Sequence, residues 1–367
     1  MRIVFDVTSC ARESRGGIST YGWNLVEGCA RVAPDNEYVL AVRSNRWTRR
    51  KLIAGLLPNA PRRALVDGLQ WFTLGRPVDV FHGVGIRLPA VARFPKTVMM
   101  HDLNVFEFPE LSSESWRVSR QQRIRETVAR ADLVISYSEQ GRDALGHYVD
   151  CPPEKVRVVP LAVDTDVFRR PPEEQLQRVL AKHGLAERPY LICVGQYDGR
   201  KNHDGLLEAF AHAKLPEEWV LVLGGPKNEN ADKLRARGRE LGVPDDRLHL
   251  PGFVLEDELP ALLAGAEFYA CGSLHEGFGL PVIEAQACGT AVVSSNRAAL
   301  VETLGDCGLL FDPADLDDFA SALQRMAGDA ELRADFAARG PQRVAEHYTW
   351  DTLARASLDV FAEAAAR

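Results

Sequence analysis

Short apolar runs alternate with amphipathic stretches along the whole chain, and the alternation restarts once. Residues 2–8 (RIVFDVT), rich in β-branched and aromatic side chains, predict a first buried strand. Beyond Arg15-Gly16-Gly17, the residues Ile18, Tyr21, Leu25 and Val26 recur at helical spacing and predict one apolar helix face. Strand-like runs follow at 37–42, 78–82, 96–101, 132–137 and 156–160. A second series occupies 190–195, 218–223, 247–250, 267–271, 290–295 and 308–311, with helical segments such as 204–213, 258–265 and 315–327 between them. Strands alternating with helices predict parallel α/β sheets, so two series predict two Rossmann-like domains. The expected boundaries are 1–165 and 166–347, with a last helix in 348–367 whose apolar positions are Leu353, Leu358 and Phe361.

Composition narrows the class without naming a chemistry. A chain of 367 residues suits two domains, and 46% apolar and 26% charged residues are ordinary for globular proteins. There is no leading signal peptide and no apolar run of about 18 residues, so a cytoplasmic protein is expected. Seven cysteines, odd in number and without a CxxC pair, lie partly in strand-like runs such as Leu191-Ile192-Cys193-Val194 and predict buried free thiols. The net charge of −7 hides an asymmetry: residues 1–160 carry 23 Lys+Arg against 17 Asp+Glu, the remainder 21 against 34. Arg43, Arg46, Arg49, Arg50 and Lys51 cluster beside Trp47, Leu52 and Ile53. Arg117, Arg120, Arg123 and Arg125 fall on an expected helix. Either these are solvated basic faces, or they meet an anionic membrane or a lipid-linked phosphate acceptor. No nucleic-acid partner is expected.

The densest motif is HEGFGLPVIEAQACGTAVV at 275–293. Pro281 near the start and Gly289 past the end mark a helix. Glu276 is then expected before it, at the end of the segment 268–273, and Glu284 in its first turn. Between them Gly277 and Gly279 leave backbone N–H groups open to a ligand. Two carboxylates flanking an anion-sized gap suit a sugar nucleotide, although the helix dipole alone favours a first-turn Glu. Gly16-Gly17 sits at the first strand–helix turn, where a diphosphate would meet free N–H groups. The fingerprint GxGxxG is absent there, which argues against an NAD enzyme, and Gly83-Val84-Gly85 is only a fragment of it. Arg200 and Lys201 precede a helix, where its dipole disfavours cations unless an anion binds. His101-Asp102 follows a strand at the edge where open α/β sheets hold ligands. Asp164-Thr165-Asp166 looks like a DxD metal motif but lies at the junction, as hinge and N-cap chemistry. The other histidines lack metal-ligand spacing, and His275 stays undecided.

E-G-F-G-L-P-V-I-E-A-x-A-C-G closely resembles the donor-site signature of retaining glycosyltransferases of family 4, which have the GT-B fold. Gly16-Gly17, His101-Asp102, Ser136-Tyr137-Ser138, Arg200-Lys201-Asn202, Pro251-Gly252-Phe253-Val254 and Tyr348-Thr349-Trp350 also occur in that family's order, over nearly the whole chain. The resemblance implies two Rossmann-like domains facing across a cleft, with the C-terminal helix crossing back to the N-terminal domain. It implies that Arg200 and Lys201 bind the leaving diphosphate and that Glu284 holds the ribose hydroxyls. Glu276 with the Gly277-Phe278-Gly279 backbone and Leu280 would hold the donor sugar. Gly252, Phe253 and Val254 would lie by the base, with Gly16, Gly17, His101 and Asp102 approaching from the other domain. One departure is Leu161-Ala162, where the family usually has Asn-Gly. His101-Asp102-Leu103 followed by Phe108-Pro109-Glu110 looks most like bacterial mannosyltransferase members that build surface polysaccharide. The implied activity is hexose transfer from a nucleotide-diphosphate sugar, GDP-mannose first, to a glycan or lipid-linked acceptor, with no metal and no cofactor. A nucleotide-sugar epimerase on the same fold, a DxD-type transferase and a non-catalytic sugar-nucleotide binder remain as alternatives.

Overall fold

Two parallel sheets carry the molecule, as seen in a computed structural model that describes residues 1–13, 16–66, 74, 77–90, 93–226 and 228–367. The chain divides into one unit of Met1–Leu161 with Trp350–Arg367 and another of Ala162–Thr349. The divisions fall at 161/162 and 349/350, against 165/166 and 347/348 from the sequence.

The N-terminal unit has strands β1 (Arg2–Asp6), β2 (Glu37–Arg43), β3 (Arg62–Leu65), β4 (Val80–Gly83), β5 (Lys96–Met100), β6 (Leu133–Ser136) and β7 (Val156–Val158), ordered β3-β2-β1-β4-β5-β6-β7. All pairs are parallel, β1 lying against Glu37–Ala41 on one side and Val80–Gly83 on the other. Parallel strands need both faces covered, so they read as continuous apolar runs. Val4, Val39, Phe81, Val98 and Val134 form one buried layer with Ile124, Val128 and Leu145 of the flanking helices. The sequence missed β3: it is a four-residue edge strand that opens with two arginines, too short and too polar to show as a run.

The C-terminal unit has β8 (Tyr190–Val194), β9 (Val220–Gly224), β10 (Leu248–Gly252), β11 (Phe268–Cys271), β12 (Ala291–Ser295) and β13 (Leu309–Phe311), ordered β10-β9-β8-β11-β12-β13. Alternation along β8 sends Leu191 and Cys193 to one face, with Phe210 and Phe319, and Tyr190 and Ile192 to the other, with Leu262 and Val282. All seven cysteines are buried and free.

Helix Gly17–Val32 buries Tyr21, Leu25 and Val26 but leaves Ile18 half-exposed, narrowing the expected face. Helix Trp350–Ala366 packs on the N-terminal unit, Phe361 meeting Phe5 at 5.9 Å between ring centroids and Glu363 pairing with Arg157. Leu353 and Phe361 are buried as expected, whereas Leu358 is half-buried and Val360 and Ala364 take its place in the stripe. No helix among the described residues is long and apolar enough to cross a membrane.

Candidate functional site

Within the C-terminal unit the chain builds β9 on one flank of β8 and later adds β11 on the other. Open parallel sheets place ligands outside the carboxyl ends of strands at such a switch point. Here β8 ends at Val194 and β11 at Cys271, and the loops that follow carry the charged motifs.

After β8 the chain closes a tight turn, Gly199–Lys201, in which the Asp198 carboxylate accepts the Lys201 N–H at 3.0 Å. Asn202 takes φ +53°, a left-handed conformation that asparagine tolerates well, and its side-chain oxygen accepts the Gly205 N–H at 3.2 Å to start helix His203–Ala213. A Cβ at residue 205 would stand 2.5 Å from that oxygen, so glycine leaves room for the cap. The Asn202 amide nitrogen donates to the Gly272 carbonyl at 3.1 Å, and the Leu274 N–H donates to the Arg200 carbonyl at 2.8 Å. These bonds tie the two loops together and bring Arg200, Lys201 and Glu276 into one cluster.

Glu276 sits at its centre. One oxygen accepts from Lys201 Nζ at 2.5 Å and from the Ser273 hydroxyl at 2.8 Å; the other accepts from Arg200 Nη1 at 2.9 Å. Burial pushes the carboxyl up, but Lys201 and Arg200 and the hydrogen bonds from Lys201 and Ser273 outweigh it and hold the group below its ordinary range. The sequence reading left the two cations without a counter-charge; the structure supplies one from 75 residues along the chain. Lysine carries three N–H donors and arginine five. Against these the described residues offer Glu276, the His275 carbonyl at 2.9 Å and, at 3.8 Å, Asp198. Donors exceed acceptors in a place with little water, which favours a further anion.

Glu284 lies fifth in helix Leu280–Ala287, not in its first turn as expected, so the dipole does not account for it. Its residue keeps some exposure, yet protein atoms crowd the carboxyl; burial raises it to about 7, against an opposing pull from Lys201. Gly279 caps this helix at φ +102°, where a Cβ would meet Leu300 Cδ2 at 2.7 Å, so both backbone and space demand glycine. Phe278 is buried against Tyr348, centroids 5.7 Å apart, and its carbonyl accepts the Thr303 hydroxyl. Its side chain is thus packing, which leaves the backbone as the part of Phe278 expected to meet a ligand. Leu280 opens the helix half-buried. Gly252 ends β10 at φ +85°, turning Phe253 outward at 73% exposure while Val254 is buried.

In the N-terminal unit, His101 Nε2 donates to the Val84 carbonyl at 2.7 Å, which leaves Nδ1 to accept from the Tyr137 hydroxyl at 2.6 Å. Tyr21 packs edge-on at 5.1 Å. Burial lowers the ring to about 4, so it is neutral at physiological pH with both nitrogens engaged. Asp102 accepts the Asn104 N–H at 3.2 Å. Gly16 stands before helix Gly17–Val32 with no side-chain cap, and a Cβ at either Gly16 or Gly17 would meet nothing within 4 Å. Crowding within this unit therefore does not demand glycine at either position. Arg15 lies outside the described residues. Asp164 accepts the Asp166 and Val167 N–H groups at 3.0 and 3.4 Å, and no helix begins until Glu173, so the expected N-cap is a simple turn.

Sequence reasoning missed Ser273, the neutral donor to Glu276, because a serine two residues past a strand carries no signal. The loop-tying role of Asn202 was also unseen, although its place before a helix could have suggested a cap.

Comparison with known proteins gives this geometry a family. The profile described as "Glycosyl transferases group 1" matches residues 177–343, and "Glycosyltransferase Family 4" matches 15–167. The chain is 30% identical over 287 residues to O-antigen chain mannosyltransferase B of Escherichia coli, covering 77% of this chain and 74% of that one. It is 32% identical to the MMP alpha-(1->4)-mannosyltransferase of Mycolicibacterium hassiacum over 80% of this chain and 64% of the relative. Solved structures share the fold: Anabaena HepE in complex with UDP and glucose (TM-score 0.72, 18% identity, 99% of each chain) and a sucrose-phosphate synthase from Thermosynechococcus elongatus (TM-score 0.73, 21% identity, 99% of each chain). The chain belongs to glycosyltransferase family 4, with the GT-B fold, and is a glycosyltransferase.

Proposed function

We propose that this enzyme is a retaining, metal-independent hexosyltransferase that moves mannose from GDP-mannose to a glycan or lipid-linked acceptor in cell-surface polysaccharide synthesis. The observation that carries the reading is the Arg200–Lys201–Glu276 cluster at the switch point of the C-terminal sheet, with more donors than acceptors. In this reading the anomeric C–O bond breaks and its electron pair leaves on the diphosphate, where Arg200 and Lys201 neutralise the developing charge. The acceptor hydroxyl bonds to the anomeric carbon on the same face, and its proton passes to the departing diphosphate oxygen. Glu276, engaged by three donors, positions the cations and the sugar hydroxyls. Glu284 holds the ribose, and Gly252, Phe253 and Val254 border the base. The family resemblance assigns Gly16, Gly17 and Asp102 to donor binding and His101 to catalysis, as a fixed neutral ring and not a proton shuttle.

Mannose is favoured by the curated relatives, among them the serotype-specific mannosyltransferase WbdA of Escherichia coli. The enzyme works in the cytoplasm. The exposed Trp116 and Val118 beside Arg117 on helix Glu114–Arg130 give the N-terminal unit a surface for peripheral contact with anionic membrane.

A direct test incubates the protein with GDP, UDP and ADP sugars, with and without EDTA, and follows the product anomer by NMR. The expected result is turnover of GDP-mannose in EDTA with the α configuration kept. Loss of activity in EDTA, an inverted product, or donor epimerised without acceptor would each overturn part of the reading.

A further inference from the structure

A cavity of about 590 Å³ lies wholly within the N-terminal unit, inside the range of about 300–1,000 Å³ usual for small-molecule sites. It opens at the carboxyl ends of β1, β2 and β4, at the switch point of this sheet between β1 and β4. Its chemistry is lopsided. Arg43 enters from the end of β2, Arg46 and Arg49 from the following turn Ser44–Ile53, and Arg87 from beyond β4. Helix Glu114–Arg130 adds Arg120 and Arg123, and Arg12 lies past β1. The lining carboxylates are Asp6 and Glu13, and Asp6 is taken by Arg43 at 3.2 Å. Among the described residues Arg12, Arg46, Arg49, Arg120 and Arg123 form no salt bridge. Burial depresses the Arg120 guanidinium against the pull of Asp102, with smaller pushes in the same direction from Arg123 and Arg87. The Ser9 hydroxyl on the same wall is out of water and has no hydrogen-bond partner among the described residues.

The arginines line one concave space, Arg43, Arg120 and Arg123 half-buried and Arg12, Arg46, Arg49 and Arg87 exposed, beside the buried Ser9 hydroxyl and on the sheet edge where parallel folds hold ligands. Guanidinium forks match phosphate oxygens bidentately. We propose that this cavity seats the phosphate or diphosphate ester group of the acceptor, so that the second substrate is phosphorylated. This rests on the hexosyltransferase reading for the word acceptor; the anion site itself does not.

The test titrates inorganic pyrophosphate by calorimetry into the full chain already saturated with GDP, which occupies the donor site. The expected result is one pyrophosphate per chain, weakened roughly tenfold or more in Arg46→Ser/Arg49→Ser and in Arg120→Gln/Arg123→Gln, from the loss of charged hydrogen bonds. GDP affinity and thermal unfolding of both variants should match the wild type. Competition arms identify the source: mannose 1-phosphate for a soluble ester, and phosphatidylcholine vesicles carrying polyprenyl phosphate for a lipid-linked one. No second pyrophosphate site, unchanged affinity in both folded variants, or equal competition by glucuronate, a carboxylate without phosphate, would overturn the proposal. Failure of GDP to bind would instead strike the donor reading and leave the cavity testable against the same variants.

Discussion

At the scale of single residues, Glu276 and its two cations form a set in which each member needs the others. Removing the carboxylate charge by Glu276→Gln keeps the shape but releases Lys201 and Arg200 from their shared counterion. Nucleoside diphosphate should then bind more tightly while sugar transfer falls by about 100-fold, the scale on which charge-stabilising groups act. Parallel calorimetry and turnover check this; equal losses in both would mean that Glu276 merely holds the fold. His101 makes a claim about pH. Its folded value of about 4 lies below the ordinary 6.5, so below pH 6.5 the unfolded chain takes up a proton that the folded chain refuses. His101 therefore destabilises the N-terminal unit as pH falls from 6.5 to 4 and contributes nothing above 6.5. Denaturant unfolding should show a shallower loss over that window in His101→Gln than in wild type; parallel profiles would contradict the buried neutral ring. At this scale the sequence was only half legible. Glu276 and Lys201 stood out beside glycine loops, but their contact spans 75 residues and follows no periodicity.

At the scale of elements, legibility followed burial. Strands buried on both faces show as apolar runs and were read within a residue or two of their observed spans. The arginine-led edge strand Arg62–Leu65 escaped because little of it is buried. Glycine was most informative where geometry demands it. Gly279 combines φ +102° with a Cβ position 2.7 Å from a buried leucine, so Gly279→Ala should cost the C-terminal unit about 2–4 kcal/mol, backbone strain adding to overpacking. Urea unfolding would measure it, and a loss below about 0.5 kcal/mol would show the loop to be adaptable. By contrast Gly16 and Gly17 have open space around them, and local packing does not account for either. Glu284 carries a lesson about helix ends: Pro281 marked the start well, yet the true first residue is Leu280, and that shift places the carboxylate in the second turn.

For the whole molecule, the two units repeat one architectural rule with different chemistry. Each has a parallel sheet with a switch point, and at each switch point basic side chains gather at the carboxyl ends of the strands. The C-terminal cluster pairs its cations with buried Glu276; the N-terminal cavity leaves most of its arginines without salt bridges among the described residues. The charge asymmetry along the sequence foreshadowed this division, while the cavity itself was invisible because its walls come from four separate segments. In the proposed reaction Arg200 and Lys201 receive the diphosphate. Lys201→Ala tests this most directly, with turnover of GDP-mannose compared with wild type on protein whose folding is verified by circular dichroism. The expected result is a drop of about 100-fold or more in kcat. Turnover within about twofold of wild type in a folded variant would contradict the claim.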